Sequence, residues 1–129
     1  VWAWGYNSYG QLGNGTLLDR YLPTPVSGLR DGIGIAGGYF HSVGLDKDGT
    51  VWAWGDNSSG QLGDGMMNNS SSWVQLSQFT NVSAVACGSD HTIALKSDGT
   101  IWACGDNTLG QLGNGMIGVK LTPVQVSGL

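Results

Sequence analysis

Fifteen residues, VWAWGYNSYGQLGNG at 1–15, return as VWAWGDNSSGQLGDG at 51–65 and again as IWACGDNTLGQLGNG at 101–115. The first two copies share 12 of 15 residues, and the spacing is 50 both times. A second block recurs at the same interval, IAGGYFHSVGLDKDGTVWAWG at 35–55 and VACGSDHTIALKSDGTIWACG at 85–105. A fixed period of this length requires that each copy fold into the same unit and that neighbouring units stack to bury a shared core.

The unit reads as strands. Short apolar runs at 33–37 and 82–87 form a first strand, A. His41–Leu45 and His91–Leu95 form B. Thr50–Trp54, Thr100–Cys104 and Val1–Trp4 form C, and the Pro/Val segments 23–27, 73–77 and 123–127 form D. Between B and C stand Asp48-Gly49 and Asp98-Gly99, a hairpin signal because glycine accepts the left-handed conformation that tight turns need. The C–D connection, G-x-N-x-x-G-Q-L-G-x-G, is a glycine-punctuated loop. Side chains alternate along a strand, so His41, Val43 and Leu45 share one face of B, and Trp2 and Trp4 share one face of C. Both faces of the sheet are largely apolar, as suits a sheet covered on both sides. Composition agrees. The 23 glycines need turns or close backbone approaches, and all nine acids are Asp, a turn former, with no Glu. The expected fold is all-β: a β-propeller fragment of four-stranded antiparallel blades, about two and a half of them.

These residues carry a resemblance. W-x-W/C-G-x-N-x-x-G-Q-L-G-x-G followed by a His-Ser/Thr strand and Asp-Gly-Thr is similar to the regulator of chromosome condensation repeat, and the likeness covers nearly the whole chain. It implies a seven-bladed propeller, which needs about 350 residues at this repeat length. The chain divides accordingly into a half blade at 1–29 (strands C and D), a full blade at 30–79 and another at 80–129. Its opening on Val1-Trp2-Ala3-Trp4, in mid-pattern, suggests a piece of something longer. The expected companions of the bare blade faces are the remaining blades of the parent propeller, or other copies through self-association.

Several motifs reduce to shared architecture. His41 and His91 occupy the same repeat position, which points to a hydrogen-bonded structural role and not to metal or catalysis. Asn7, Asn57, Asn107 and Gln11, Gln61, Gln111 are expected to bond loop backbone. Gly10–Gly15 is neither a dinucleotide fingerprint nor a P-loop. Asp46-Lys47-Asp48-Gly49 lacks the Glu of a calcium loop. Cys87 and Cys104 lie on strands separated by B, about 10 Å apart and beyond the ~7 Å reach of a disulfide, so two free thiols are expected. Trp2, Trp52 and Trp102 are expected to be core repeats. A light-sensing branch of the family carries Gly-Trp-Arg-His-Thr before strand B. Here that loop reads Gly38-Tyr39-Phe40-His41-Ser42, without the Trp or the Arg, so photoreception is not expected.

Net charge is −4, and the five basic residues Arg20, Arg30, Lys47, Lys96 and Lys120 are scattered. Neither a nucleic-acid footprint nor a membrane segment is present in the sequence, no cofactor motif occurs, and no nucleophile–base–acid set suggests an enzyme. Function is expected where the copies differ. Position 6 of the repeat holds Tyr6, Asp56 or Asp106, and position 9 holds Tyr9, Ser59 or Leu109. The A–B loop holds Tyr39-Phe40 or Ser89-Asp90, and the stretches 16–22, 66–72 and 116–122 diverge. Strands A and C end at the same edge of a blade, so Tyr6, Tyr9, Tyr39, Phe40, Asp56, Ser89, Asp90 and Asp106 are expected on one rim, suited to a protein partner. The expected function is a non-catalytic protein-binding scaffold. The resemblance implies an alternative, guanine-nucleotide exchange on a small GTPase.

Overall fold

The computed structural model describes residues 1–26, 28–29 and 31–129. Ser27, which closes the first expected strand D, and Arg30, one of the five basic residues, lie outside the described residues. Among those described there is no helix. Ten strands run in chain order: β1 (Trp2–Gly5), β2 (Arg20–Pro25), β3 (Gly32–Gly37), β4 (His41–Asp46), β5 (Val51–Gly55), β6 (Ser70–Gln75), β7 (Val82–Cys87), β8 (His91–Lys96), β9 (Ile101–Gly105) and β10 (Lys120–Gln125). They form two four-stranded antiparallel blades, β3-β4-β5-β6 and β7-β8-β9-β10, and a two-stranded sheet β1-β2 equivalent to the outer half of a blade. β7 packs beside β3 and β4, joining the two blades along their inner strands.

The fourth strand differs from the sequence reading. It begins at Arg20, Ser70 and Lys120 and ends at 25, 75 and 125, earlier than the Pro/Val pattern suggests. The cause is a β-bulge repeated in each sheet. Gly55 pairs with Ser70 while Ala53 pairs with Val74, so the fourth strand carries extra residues between the two pairs.

The core lies between the blades. Val43, Leu45, Val51, Ala53, Leu62, Leu76, Phe79, Val82, Ala94 and Cys104 form one buried cluster, with Trp102 packed against it. The core tryptophan is not the one expected. Trp54 is 1% exposed, whereas Trp2 is 61% exposed and Trp52 and Trp102 are half-buried. Trp54 is covered because the loop of the preceding copy lies on it. Its indole Nε1 donates to the Gln11 carbonyl (2.8 Å), and its ring stacks on Trp73 (centroids 4.5 Å apart). Only glycine fits where that loop crosses the ring. Gly13 has φ +64°, and a Cβ there would lie 2.7 Å from Trp54 Nε1.

Candidate functional site

Each C–D loop is built around its asparagine. Asn57 is fully buried. Its amide donates to the Met66 carbonyl (3.2 Å), and its oxygen accepts the Leu62 N–H (2.9 Å). Asn7 and Asn107 repeat the pattern with Thr16 and Leu12, and with Met116 and Leu112. The glutamine beside it tightens the turn. Gln61 Oε1 accepts the Ser59 N–H, and its Nε2 donates to Asp56 Oδ2 (2.8 Å).

The loop then reaches forward to the next blade. The Gln11 carbonyl accepts Ser42 Oγ (2.9 Å) as well as Trp54. The Gln61 carbonyl accepts Thr92 Oγ1 (2.7 Å) and lies 3.7 Å from Cys104 Sγ. Thr92 also meets His41 Nε2 at 3.1 Å. A threonine hydroxyl has one proton, and Thr92 spends it on a carbonyl that cannot donate. Towards His41 the hydroxyl is therefore an acceptor, and His41 is the neutral tautomer with its proton on Nε2. Its buried Nδ1 has no hydrogen-bond partner and faces Gly38. Burial lowers its pKa to about 4, a nearby Asp56 charge opposes the shift, and His91 adds to it. The buried His41–Thr92–Gln61 chain thus ties two blades together.

Cys87 and Cys104 are free thiols, both held up to about 12 by burial. The register places Thr92 of β8 between them.

The rim gathers most of the divergent residues. Tyr9 stacks on Phe40 (4.5 Å, 20°), Tyr6 lies 5.8 Å from Phe40, and Tyr39 meets Phe40 edge-on at 4.6 Å. Four aromatic rings from two loops therefore form one cluster, with Tyr6 50% and Tyr39 71% exposed. Backbone bonds fix the loops. The Phe40 carbonyl accepts the Asp56 N–H (2.9 Å), and the Asp90 carbonyl accepts the Asp106 N–H (2.8 Å). The Tyr39 N–H donates across to the Ser89 carbonyl of the next blade (2.9 Å), so the two A–B loops are adjacent. Asp90 titrates above the ordinary carboxylate range through partial burial and the charges of Asp56 and Asp106. Asp106 titrates below it through bonds from Thr108 and Gln111.

Asp56 stands apart from the others. It is 4% exposed, and its carboxylate is taken by Ser58 and Gln61. Its equivalent Asp106 is held in the same way by Thr108 and Gln111 but stays partly exposed, so it is burial that withdraws Asp56 from the rim. The divergent stretch 16–22, where function was also expected, exposes the apolar side chains Leu17, Leu18, Tyr21 and Leu22.

Known proteins share this arrangement. The Regulator of chromosome condensation (RCC1) repeat pattern matches residues 1–45, 48–95 and 98–129, and a second pattern of the same repeat matches 33–61 and 82–111. The chain belongs to the regulator of chromosome condensation repeat family. Its β-sheets are the blades of that family's propellers. Human WBSCR16 is similar, with 27% identity and a TM-score of 0.84 over 98% of this chain and 35% of that one. Prp20p from Saccharomyces cerevisiae, described with its binding properties to Gsp1p and histones, is 28% identical with a TM-score of 0.81 over 99% of this chain and 34% of that one. In the structure of Kap60 bound to yeast RCC1 (Prp20), the matching chain is 25% identical with a TM-score of 0.80, covering 99% of this chain and 34% of that one. The chain thus spans about a third of the length of these structures.

Proposed function

We propose that this regulator of chromosome condensation repeat chain is part of a non-catalytic scaffold that binds a protein partner through the rim of Tyr6, Tyr9, Tyr39 and Phe40, with Ser89, Asp90 and Asp106 beside it. The aromatic cluster carries the reading. Rigid rings half exposed at the junction of two loops offer contact area at little entropic cost, which is the composition of interface anchors. Asp90 and Asp106, on a chain of net charge −4, favour a partner that presents a basic segment.

The first partners to try are those named for the yeast neighbour, Gsp1p and histones. The rim reading expects Tyr39→Ala to weaken a bound partner by about tenfold or more and to leave the unfolding midpoint unchanged. A partner that binds Tyr6→Ala and Tyr39→Ala chains as tightly as the unaltered one would place the contact elsewhere.

Family membership favours a second reading, nucleotide exchange on a small GTPase. Accelerated release of bound guanine nucleotide from such a GTPase, lost in the Tyr39→Ala chain, would support it over the simple scaffold.

A further inference from the structure

One tryptophan of the repeat is covered by a cation in the last blade and not in the blade before it. Trp52 on β5 and Trp102 on β9 occupy the same repeat position. Over the Trp102 ring lies the Lys96 ammonium, 4.2 Å from the centroid. The residue equivalent to Lys96 is Asp46. A carboxylate is repelled by the negative face of an indole and attracted to its edge, and Asp46 Oδ2 accepts the Trp52 Nε1–H (3.2 Å). The exchange of Lys for Asp thus takes the cation off the ring and sets a negative charge at its edge. Among the described residues no cation lies over Trp52, and the buried Asp46 Oδ1 has no hydrogen-bond partner.

A cavity of about 320 Å³ opens beside Trp52, lined also by Gly13, Asn14, Gly28, Ser72 and Trp73, with no wall from β1 or β2. Trp73 is particular to this junction, since the other copies hold Pro23 and Pro123. Its ring is fixed by the stack on Trp54 and by donation from Nε1 to the Gly13 carbonyl (3.0 Å). It lies 6.4 Å from the Trp52 ring at 58°. Both indole N–H groups are spent within the protein, so the rings offer the cavity only carbon surface. The adjoining cleft, which shares Gly28, is lined by Asp31, Asp46, Lys47 and Asp48. Lys47 is paired with Asp31 (2.8 Å), which leaves Asp46 and Asp48 unbalanced among the described residues.

We propose that this cavity binds an organic cation of the methylated-ammonium class, seated on the Trp52 ring with Trp73 as a second wall and Asp46 as the counter-charge. The sister blade supplies the precedent for the charge, and the walls set the kind of cation. Aromatic rings and glycine backbone cannot replace the water around a metal ion or a primary ammonium. A methylated nitrogen sheds its water at less cost and packs its C–H shell on the rings. The site is separate from the aromatic rim and does not depend on the partner proposed there.

The test follows the Trp52 indole N–H by NMR while the intact chain is titrated with choline at constant ionic strength. A parallel titration uses the uncharged carbon isostere, in which a tert-butyl group replaces the trimethylammonium. Choline should shift the signal saturably and bind about tenfold or more tightly than the isostere. Asp46→Lys, which installs the residue of the sister blade, should abolish the response. Asp46→Asn keeps an acceptor for Trp52 and should weaken binding several-fold. Trimethyl-lysine in a capped peptide that binds more tightly than choline would assign the cation to a partner's side chain, and the reverse to a free small molecule. Equal binding of the isostere, an unaltered response in Asp46→Lys, or no saturable shift overturns the proposal. So does binding that appears only in an Arg30→Gln chain, which would mean that the chain supplies the cation itself.

Discussion

Acidifying this chain from about pH 7.5 to about pH 5 should remove about 2 kcal/mol of stability through His41 alone. The ring is buried as the neutral Nε2–H tautomer, and its pKa falls from 6.5 to about 4. A proton added at Nδ1 would meet Gly38 and no acceptor. The unfolded chain therefore binds a proton near pH 6.5 that the folded chain refuses until near pH 4. The unfolded state holds more protons throughout that window, so stability is complete above it and falls with falling pH inside it. One pKa unit is worth about 1.4 kcal/mol, which gives about 3 kcal/mol when the window has been crossed and about 2 kcal/mol at pH ~5. Asp48, Asp98 and Asp106 have lowered values and lose their stabilisation below the ordinary carboxylate range, outside most of this window. Asp90 is raised, and its contribution has the opposite sign. Urea unfolding at the two pH values measures the difference, with His41→Gln as the control that should flatten it. NMR titration of the ring reads the pKa directly, whether or not that variant folds. Equal stability at both pH values, or a ring that titrates near 6.5, would refute the buried-tautomer account.

Three further outcomes are expected. Thr92→Val removes the hydroxyl between His41 and Gln61 and should cost about 2 kcal/mol in urea unfolding, since two buried polar groups lose a partner. Gly13→Ala and Gly15→Ala both force alanine to positive φ, at about 1–2 kcal/mol each. Only Gly13 also faces Trp54, with nothing within 4 Å of a Cβ at Gly15, so Gly13→Ala should lower the thermal midpoint further. Cys87 and Cys104, held up to about 12, should resist iodoacetamide at pH ~8 in the folded chain and react in denaturant, as mass spectrometry would record.

The strands within a blade were legible because they rest on local pattern: alternation, Asp-Gly turns and a period that repeats without drift. The fourth strand was misplaced because its start is set by Gly5, Gly55 and Gly105 across a bulge, and Ser70-Ser71-Ser72 has no apolar alternation to announce it. Trp2 and Trp4 were rightly put on one face, but which repeat position becomes core depends on a loop 43 residues earlier in the chain. The aromatic rim was legible from the disagreement among copies. Asp56 shows where that method fails. A residue can differ from Tyr6 because its own loop recruits it, as Gln61 recruits Asp56 and Gln111 recruits Asp106, and internal comparison cannot separate that from a surface released for binding.

One tripeptide makes clear what the structural unit is. Gln-Leu-Gly occurs identically in all three copies, yet Gln11 is half-buried, Gln61 is fully buried and Gln111 is exposed. The loops fold alike, each on its own asparagine, so local sequence does not set the difference. It follows the next blade. Gln11 has Ser42 and Trp54 to accept from, and Gln61 has Thr92 with Cys104 close by. Gln111 has no following blade among the described residues. The unit that completes its burial is therefore a blade together with the loop of the copy before it, offset from the sequence repeat by half a period. Stability in such an array resides in nearest-neighbour terms as much as in the repeats themselves. A substitution in the loop at 10–15 should accordingly be felt in the blade formed by β3–β6, and scarcely in the sheet β1–β2 that shares its sequence repeat.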